Sequence, residues 1–498
     1  MFLPSLKKQA KRLFRSRLFL TILLFLLQIF LLFTLGDLMP RIVLRVLSFA
    51  LILWLLSRPD DPSYQISWLF ILLLIPLSGC FFYLIFGNKR FGFNMKKQME
   101  RYSSAYPQPK QHSSVQTHTC FPQLEQYLSS HGYTLHSNCK SEYFPSGEAL
   151  FGQLLLDLKS AQQTIYLEYF ILAEGRLWDS VRTVLEQKVK NGVQIYLLYD
   201  DVGCLATLPE DFEQSMRQKG IHAARFNPIH PRLNTFLNYR DHRKLCIIDE
   251  NIAYTGGANI ADEYVNYIEK HGKWKDSGIR IQGSAVRNFV DLFCQLWAFT
   301  TGESLNPPQP IDSAGFVPGF LQPFGSGPMI PNSVARNALL HCINHAESSL
   351  YIMTPYLVLD HETLCSLQRS AASGVDVRIF TPHLPDKWYV HSVTRSHYLP
   401  LLDSGIRIFE YLPGFIHSKT MLSDNCAIVG SINLDFRSFY LQFEAAVALY
   451  EHPAIESLKA DFMKTQELSC EIFAQDLRSQ PWYLRFLQTV LKIFAPLM

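Results

Sequence analysis

The chain has 498 residues, of which 48% are hydrophobic and 18% charged. That balance excludes a disordered chain, and the length allows about two to four domains at roughly 100–200 residues each. A net charge of +3 argues against a protein that grips a polyanionic nucleic acid with its whole surface, so no nucleic-acid partner is expected.

Residues 1–17 carry Lys7, Lys8, Lys11, Arg12, Arg15 and Arg17 with no acid. An apolar region follows over 18–86. Within it, 18–35 and 66–86 read as bilayer spans, because about 20 apolar residues cross a membrane. The middle run, 42–56, contains Arg45. It either crosses with Arg45 reaching the interface or lies in the membrane without crossing. No small-residue cleavage site follows Leu35, which argues against a removed signal peptide. Basic residues also follow the region, from Lys89 to Arg101. The positive-inside rule then asks for an even number of crossings. The expectation is a multi-pass protein of the cell membrane with its large folded part on the cytoplasmic side.

Residues 87–118 are polar and read as a linker. Two regions of comparable size follow, 119–302 and 334–478, separated by a Pro/Gly-rich stretch at 303–333 that reads as a second linker. The two regions repeat each other in order. AQQTIYLEYFI from Ala161 matches AESSLYIMTPYL from Ala346, and NGVQIYLLYDD from Asn191 matches SGVDVRIFTPH from Ser373. GIHAARFNP from Gly220 matches GIRIFEYLP from Gly405, and NYRDHRKLCIID from Asn238 matches PGFIHSKTMLSD from Pro413. Amphipathic stretches alternate with β-branched and aromatic runs. This predicts an α/β fold: two duplicated domains, each a sheet flanked by helices with much parallel pairing, behind an N-terminal transmembrane helical region. The tail, 479–498, reads as an amphipathic helix, either packed on the second domain or lying in the membrane interface. The ten cysteines are scattered without CxxC pairs or zinc-like spacing, so reduced thiols and no metal site are expected.

The decisive pattern is a doubled spacing. His242-x-Lys244-x4-Asp249 precedes Gly256, Gly257 and Asn259; His417-x-Lys419-x4-Asp424 precedes Gly430, Ser431 and Asn433. On a strand, residues two apart share a face, so each His points with its Lys. Each Asp lies an odd number of positions from its His and points away, which gives Asp249 and Asp424 a bracing role within the candidate catalytic set. Two His, two Lys and two Asn suit phosphodiester exchange without a metal. The lysines neutralise phosphate oxygens, while Asn259, Asn433 and the Ser431 hydroxyl add donors. One neutral His attacks phosphorus and the other handles protons. Neither half holds a full set, so the site is expected between the halves. Each His also wants an acid on its second nitrogen. Asp276 follows His242 by 34 residues and Glu444 follows His417 by 27.

These residues identify the chain as resembling the phospholipase D superfamily, whose hallmark is the doubled HxKx4D motif. Within it, YRDHRKLCIIDENIAYTGGANIADEY, WKDSGIRIQG, YLPGFIHSKTMLSD, VGSINLDFRSF, LQFE and the N-terminal RPDDPSYQISWLFILLLIPLSGCFFYLIFG resemble bacterial cardiolipin synthases. The resemblance covers essentially the whole chain. It implies a cofactor-free reaction in which two phosphatidylglycerol molecules give cardiolipin and glycerol, with phospholipid and the bilayer as partners. It further implies His242 as nucleophile, His417 as acid/base, and Asp276 and Glu444 as their orienting acids. A hydrolytic phospholipase D would share the motifs, with water as acceptor. A nuclease of the superfamily or a catalytically dead membrane scaffold fits the sequence less well. One departure stands out: Asn259 follows its motif Asp by ten residues and Asn433 by nine. A gap is expected in the turn. A slipped strand would instead turn Asn433 away.

Overall fold

The computed structural model describes residues 38–75 apart from 59 and 60, scattered positions between 79 and 99, and 119–497 with breaks at 229–237, 309–314 and 331–332. The described N-terminal helices form one compact unit with the last residues of the chain; 119–228 and 239–492 form the other.

In the first unit, a helix over Leu38–Leu56 is followed by one over Pro62–Leu74. Pro62 opens the second helix where no amide hydrogen is needed, and the Asp61 carboxylate accepts from the Ser63 and Tyr64 amides. Leu55, Trp68, Leu72 and Tyr83 form its core. Of the expected span over 66–86, the structure describes the part inside the helix Pro62–Leu74 and a few positions beyond it. That helix stops at Leu74 and Ile75 leaves helical geometry at φ −133°, because a proline follows at 76. Among the described residues, no helix is long and apolar enough to cross a membrane. The expected span over 18–35 lies outside the described residues.

In the second unit, the runs read as strands from their β-branched and aromatic content build two sheets. In chain order the first half supplies β1 (His136–Ser137), β2 (Lys140–Phe144), β3 (Thr164–Tyr169), β4 (Gln194–Asp200), β5 (His222–Phe226), β6 (Arg240–Asp241), β7 (Lys244–Ile248), β8 (Ile252–Gly256) and β9 (Gly278–Gln282). The second half supplies β10 (Phe320–Ser326), β11 (Ser349–Met353), β12 (Asp376–Pro382), β13 (Arg407–Tyr411), β14 (Thr420–Ser423), β15 (Cys426–Gly430), β16 (Gln442–Tyr450) and β17 (Ser469–Ile472). One sheet runs β2-β9-β8-β7-β3-β4-β5, and the other contains the matching run β10-β16-β15-β14-β11-β12-β13, with β1 and β17 added at its edges. The fold is therefore α/β and duplicated. Within the two matching runs, parallel pairing is limited to β3-β4-β5 and β11-β12-β13; the motif strands β7 and β14 pair antiparallel.

Amphipathic helices cover the sheets, among them Gly147–Ser160, Arg176–Lys190 and Val286–Thr301 in the first half and Val334–Asn344, His361–Ala372 and Ala454–Glu467 in the second. Two boundaries differ from the sequence reading. The stretch 303–333, read as a linker, contains β10, which pairs with β16 along its whole length. Pro323 fits there because β1 reaches only Phe320 and Leu321, leaving that edge without a partner strand beyond them among the described residues. And β1, from the first half, joins the second sheet. In the C-terminal helix, Trp482–Phe494, no side chain is buried.

Candidate active site

Two short exchanges of backbone bring the halves together. β6 runs parallel to β16, and the His242 amide donates to the Phe443 carbonyl at 2.9 Å. In the reciprocal place, the Lys275 amide donates to the Phe415 carbonyl at 2.9 Å and the His417 amide to the Lys275 carbonyl at 2.6 Å. Each motif His is thus laid beside the segment of the other half that carries an acid. His242 Nδ1 lies 2.9 and 3.1 Å from the Glu444 oxygens, and His417 Nδ1 lies 2.7 Å from Asp276 Oδ2. Each acid follows one His in the chain and orients the other.

The two carboxylates are braced differently. Ser431 Oγ donates to Glu444 Oε2, and Ser438 Oγ donates to Oε1 at 2.7 Å. Asp276 accepts from the Ser277 amide at 2.8 Å and from Trp274 Nε1 at 3.4 Å. Gly257, the counterpart of Ser431, leaves Asp276 its room: a Cβ there would stand 2.1 Å from Asp276 Oδ1 and 2.7 Å from the His417 carbonyl. The Ser431 hydroxyl is fully buried and also accepts from the Ala445 amide at 3.0 Å. It is spent on Glu444, contrary to the phosphate-binding place expected for it. Asn259 is engaged too: its Oδ1 accepts from the Ile171 amide at 3.0 Å and its Nδ2 donates to the Tyr264 hydroxyl at 2.8 Å. Asn433 differs, with a buried Oδ1 that has no hydrogen-bond partner among the described residues.

The missing residue before Asn433 is in the turn. Ile248 pairs with Ile252 across 249–251, whereas Ser423 pairs with Cys426 across 424–425. Leu245 then faces Thr255 as Thr420 faces Val429, so Asn259 and Asn433 hold equivalent register. The motif aspartates sit in these turns at φ 51° and 49°. Asp249 accepts from the Gln162, Gln163 and Thr164 amides at 2.7–2.9 Å. Asp424 accepts from the Glu347, Ser348 and Ser349 amides at 2.7–3.1 Å. Both clamp the entry to the neighbouring strand, away from the imidazoles.

Lys244 and Lys419 are buried, and each Nζ donates to the carbonyl of its own motif His at 2.5 Å. Burial lowers their pKa to about 8 and about 7, against the pull of nearby carboxylates. Burial also lowers His242 far below the usual imidazole range, and the positive charges of Lys244, Lys419, Arg437 and Lys387 lower it further. His417 falls to about 4 through burial and Lys419, with Asp276 opposing. Burial raises Glu444 to about 7. The site therefore holds neutral imidazoles between two cations that are easily discharged.

Sequence reasoning missed the aromatic walls. Trp274, Tyr264 and Phe415 stand 5.2, 5.4 and 6.0 Å from His417, centre to centre, and Phe170 stands 5.2 Å from His242. It also missed Ser438. The order Trp-x-Asp in KWKD was the available signal for Trp274. Away from these walls, His383, Glu410 and Cys470 have ligand atoms within 4.8 Å of one another, but Arg395 at 3.5 Å from Glu410 competes with any cation there.

A family model described as "Cardiolipin synthase, PLD-like domain" matches residues 154–297 and 339–465, and one described as "Phospholipase_D-nuclease N-terminal" matches 46–88. The chain belongs to the cardiolipin synthase family of phospholipase D-like proteins. Its relatives in this family include a cardiolipin synthase of Halalkalibacterium halodurans, 31% identical over 93% of this chain and 94% of that one. An uncharacterized protein of Streptococcus mutans is 36% identical over 90% of this chain and 99% of its own. The family fold is shared with the crystal structure of a phosphatidylserine synthase from Haemophilus influenzae, at a TM-score of 0.57 and 16% identity over 76% of this chain and 98% of that one. Membership makes the chain a phosphatidyltransferase of the phospholipase D type.

Proposed function

We propose that the protein is a membrane-bound cardiolipin synthase that transfers a phosphatidyl group from one phosphatidylglycerol to another through a phosphohistidine. The carrying observation is the crossed pairing: each imidazole spends Nδ1 on the acid of the opposite half, which leaves Nε2 for substrate. In the first step His242 Nε2 attacks phosphorus and the P–O bond to the headgroup glycerol breaks. His417 gives its proton to the departing alkoxide. In the second step the terminal hydroxyl of another phosphatidylglycerol loses its proton to His417 and attacks phosphorus. The P–N bond breaks, and cardiolipin, glycerol and neutral His242 result.

The electrostatics support this division of labour. His242 lies in the more positive surroundings and stays neutral, as a nucleophile must. A bound phosphodiester brings negative charge beside both rings and favours the imidazolium, most usefully at His417, which Asp276 already assists. The buried lysines receive the charge that gathers on the equatorial oxygens, and one phosphodiester is exchanged for another, so no energy donor is needed.

Membrane anchoring is supported by the match at 46–88 and by apolar side chains left exposed on the N-terminal helices, including Phe49, Leu53, Ile66, Leu73 and Leu74. Incubating the purified full chain with labelled phosphatidylglycerol tests the reading. Cardiolipin and glycerol in equal amounts are expected. Phosphatidic acid as the dominant product would instead establish a hydrolase.

A further inference from the structure

Three surface loops meet beside the His417 wall. The first, 267–273, is pinned at its base by Asn266, which accepts from the Trp274 amide at 2.7 Å and donates to its carbonyl at 3.0 Å. The other two leave the neighbouring parallel strands β12 and β13, and the His383 amide donates to the Tyr411 carbonyl at 3.2 Å as they depart. The loops touch. Gly272 bridges to Gly414, the Lys273 amide donates to the Pro413 carbonyl at 3.0 Å, and Leu384 lies 3.4 Å from where a Gly272 side chain would begin.

Outward from them stand exposed apolar side chains: Tyr267 and Ile268 at 48% and 55%, Leu384 and Leu412 at 41% and 48%, and, opening the helix Trp388–Ser396 that ends the second loop, Trp388 and Tyr389 at 63% and 36%. Interleaved with them are exposed Lys270, Lys273 and Lys387, against one exposed acid, Glu269; Asp386 is occupied by the Tyr356 hydroxyl at 2.5 Å. The inner sides of the same loops become the wall of the site. Trp274 closes the first loop 5.2 Å from His417; Phe415 follows the third at 6.0 Å; and Tyr356, beneath Lys387, stands 6.3 Å from Phe415.

Large apolar side chains with an amphipathic Trp and Tyr among lysines are what an anionic membrane interface attracts. We propose that these three loops form a platform that seats the mouth of the site on an anionic phospholipid bilayer, so that the lipid phosphate reaches the histidines without entering bulk water. The proposal rests on a phospholipid substrate, and it assigns residues outside the transfer chemistry to the handling of that substrate.

The test uses the full chain reconstituted in vesicles and two substrates: long-chain phosphatidylglycerol in the bilayer, and a short-chain phosphatidylglycerol added as a dispersed monomer. Ile268→Asp and Trp388→Ala, singly and together, place a charge or a gap in the platform. The rate on bilayer substrate is expected to fall about tenfold in the double variant, and the rate on monomeric substrate to stay within about twofold. Lys270→Gln with Lys273→Gln is expected to weaken the preference for anionic over zwitterionic vesicles. An equal loss on both substrates would show that the loops merely support the site, and no loss on either would show that they do not meet the membrane; both overturn the platform. Wild-type protein inactive on both substrates would overturn the functional reading itself.

Discussion

His242 and Glu444 are separated by 202 residues in the chain, yet Nδ1 and Oε1 lie 2.9 Å apart in a buried pair. The carboxylate fixes the tautomer that leaves Nε2 unprotonated and steadies the positive charge that forms when the ring is phosphorylated. Glu444→Gln keeps the shape; its single remaining oxygen can accept from only one of Ser431 and Ser438, and the other hydroxyl must turn to accept from the new NH2. The substitution is expected to lower turnover on the order of 10²–10⁴-fold with little loss of stability. Paired measurements of phosphatidyl transfer and thermal unfolding check this. Asp276→Asn is expected to impair protonation of the leaving glycerol, so the loss should shrink with donors whose leaving group needs no proton.

The depressed lysines set an alkaline limit. Lys419 and Lys244, at about 7 and about 8, lose their charge as pH rises through those values, and charge stabilisation of phosphate goes with it. The rate at subsaturating lipid is expected to fall above neutrality. Lys419→Arg, which stays protonated, should keep less activity at its maximum but move the limb upward. Stability has the opposite sign. The folded pKa of Lys419 lies below its ordinary 10.5, so between about 7 and that value the unfolded chain binds a proton that the folded chain does not. Stability therefore rises with pH across this window, and Lys419→Met should lose that rise in denaturant titrations at several pH values.

The motif aspartates should behave as structural residues. Each anchors three backbone amides at the mouth of a strand, and neither reaches an imidazole. Asp249→Asn and Asp424→Asn are each expected to cost about 1–3 kcal/mol of stability, because an amide cannot accept from all three donors. Turnover per folded molecule should remain within an order of magnitude. Complete loss of chemistry in a fully folded variant would contradict this placement.

Gly257 and Ser431 occupy matching positions and should not be interchangeable. Gly257→Ala forces a methyl against Asp276 and the His417 carbonyl and is expected to reduce transfer about 10²-fold by misplacing that ring. Ser431→Ala removes one of two hydroxyl braces on Glu444 and should cost about tenfold. Steady-state rates of both variants, with circular dichroism as the folding check, decide the point.

Much of this site was legible in the residues. Periodicity of two placed His242 with Lys244 and His417 with Lys419, and it turned both aspartates away. A turn shorter by one residue accounts for the gap before Asn433. The partnership of acids and histidines was harder to read. Spacing along the chain pairs Asp276 with His242, while the exchange between Lys275 and Phe415, a tertiary contact, hands Asp276 to His417. Pro323 and Gly325 hid β10 inside an apparent linker, since both residues argue against a strand unless an edge is open. Ser431 looked like a phosphate donor because its hydroxyl stands in a glycine-rich segment; only the position of Glu444 shows where that hydroxyl goes.

The reciprocal threading of the halves bears on how such a chain could arise. Two identical copies of one half, related by a twofold rotation, would already own a full complement of rings, ammonium groups and acids, because each copy lends what its twin lacks. Covalent joining would release such copies from sameness, and Gly257 against Ser431, with Asp276 against Glu444, are places where the two imidazoles of this chain differ in their surroundings.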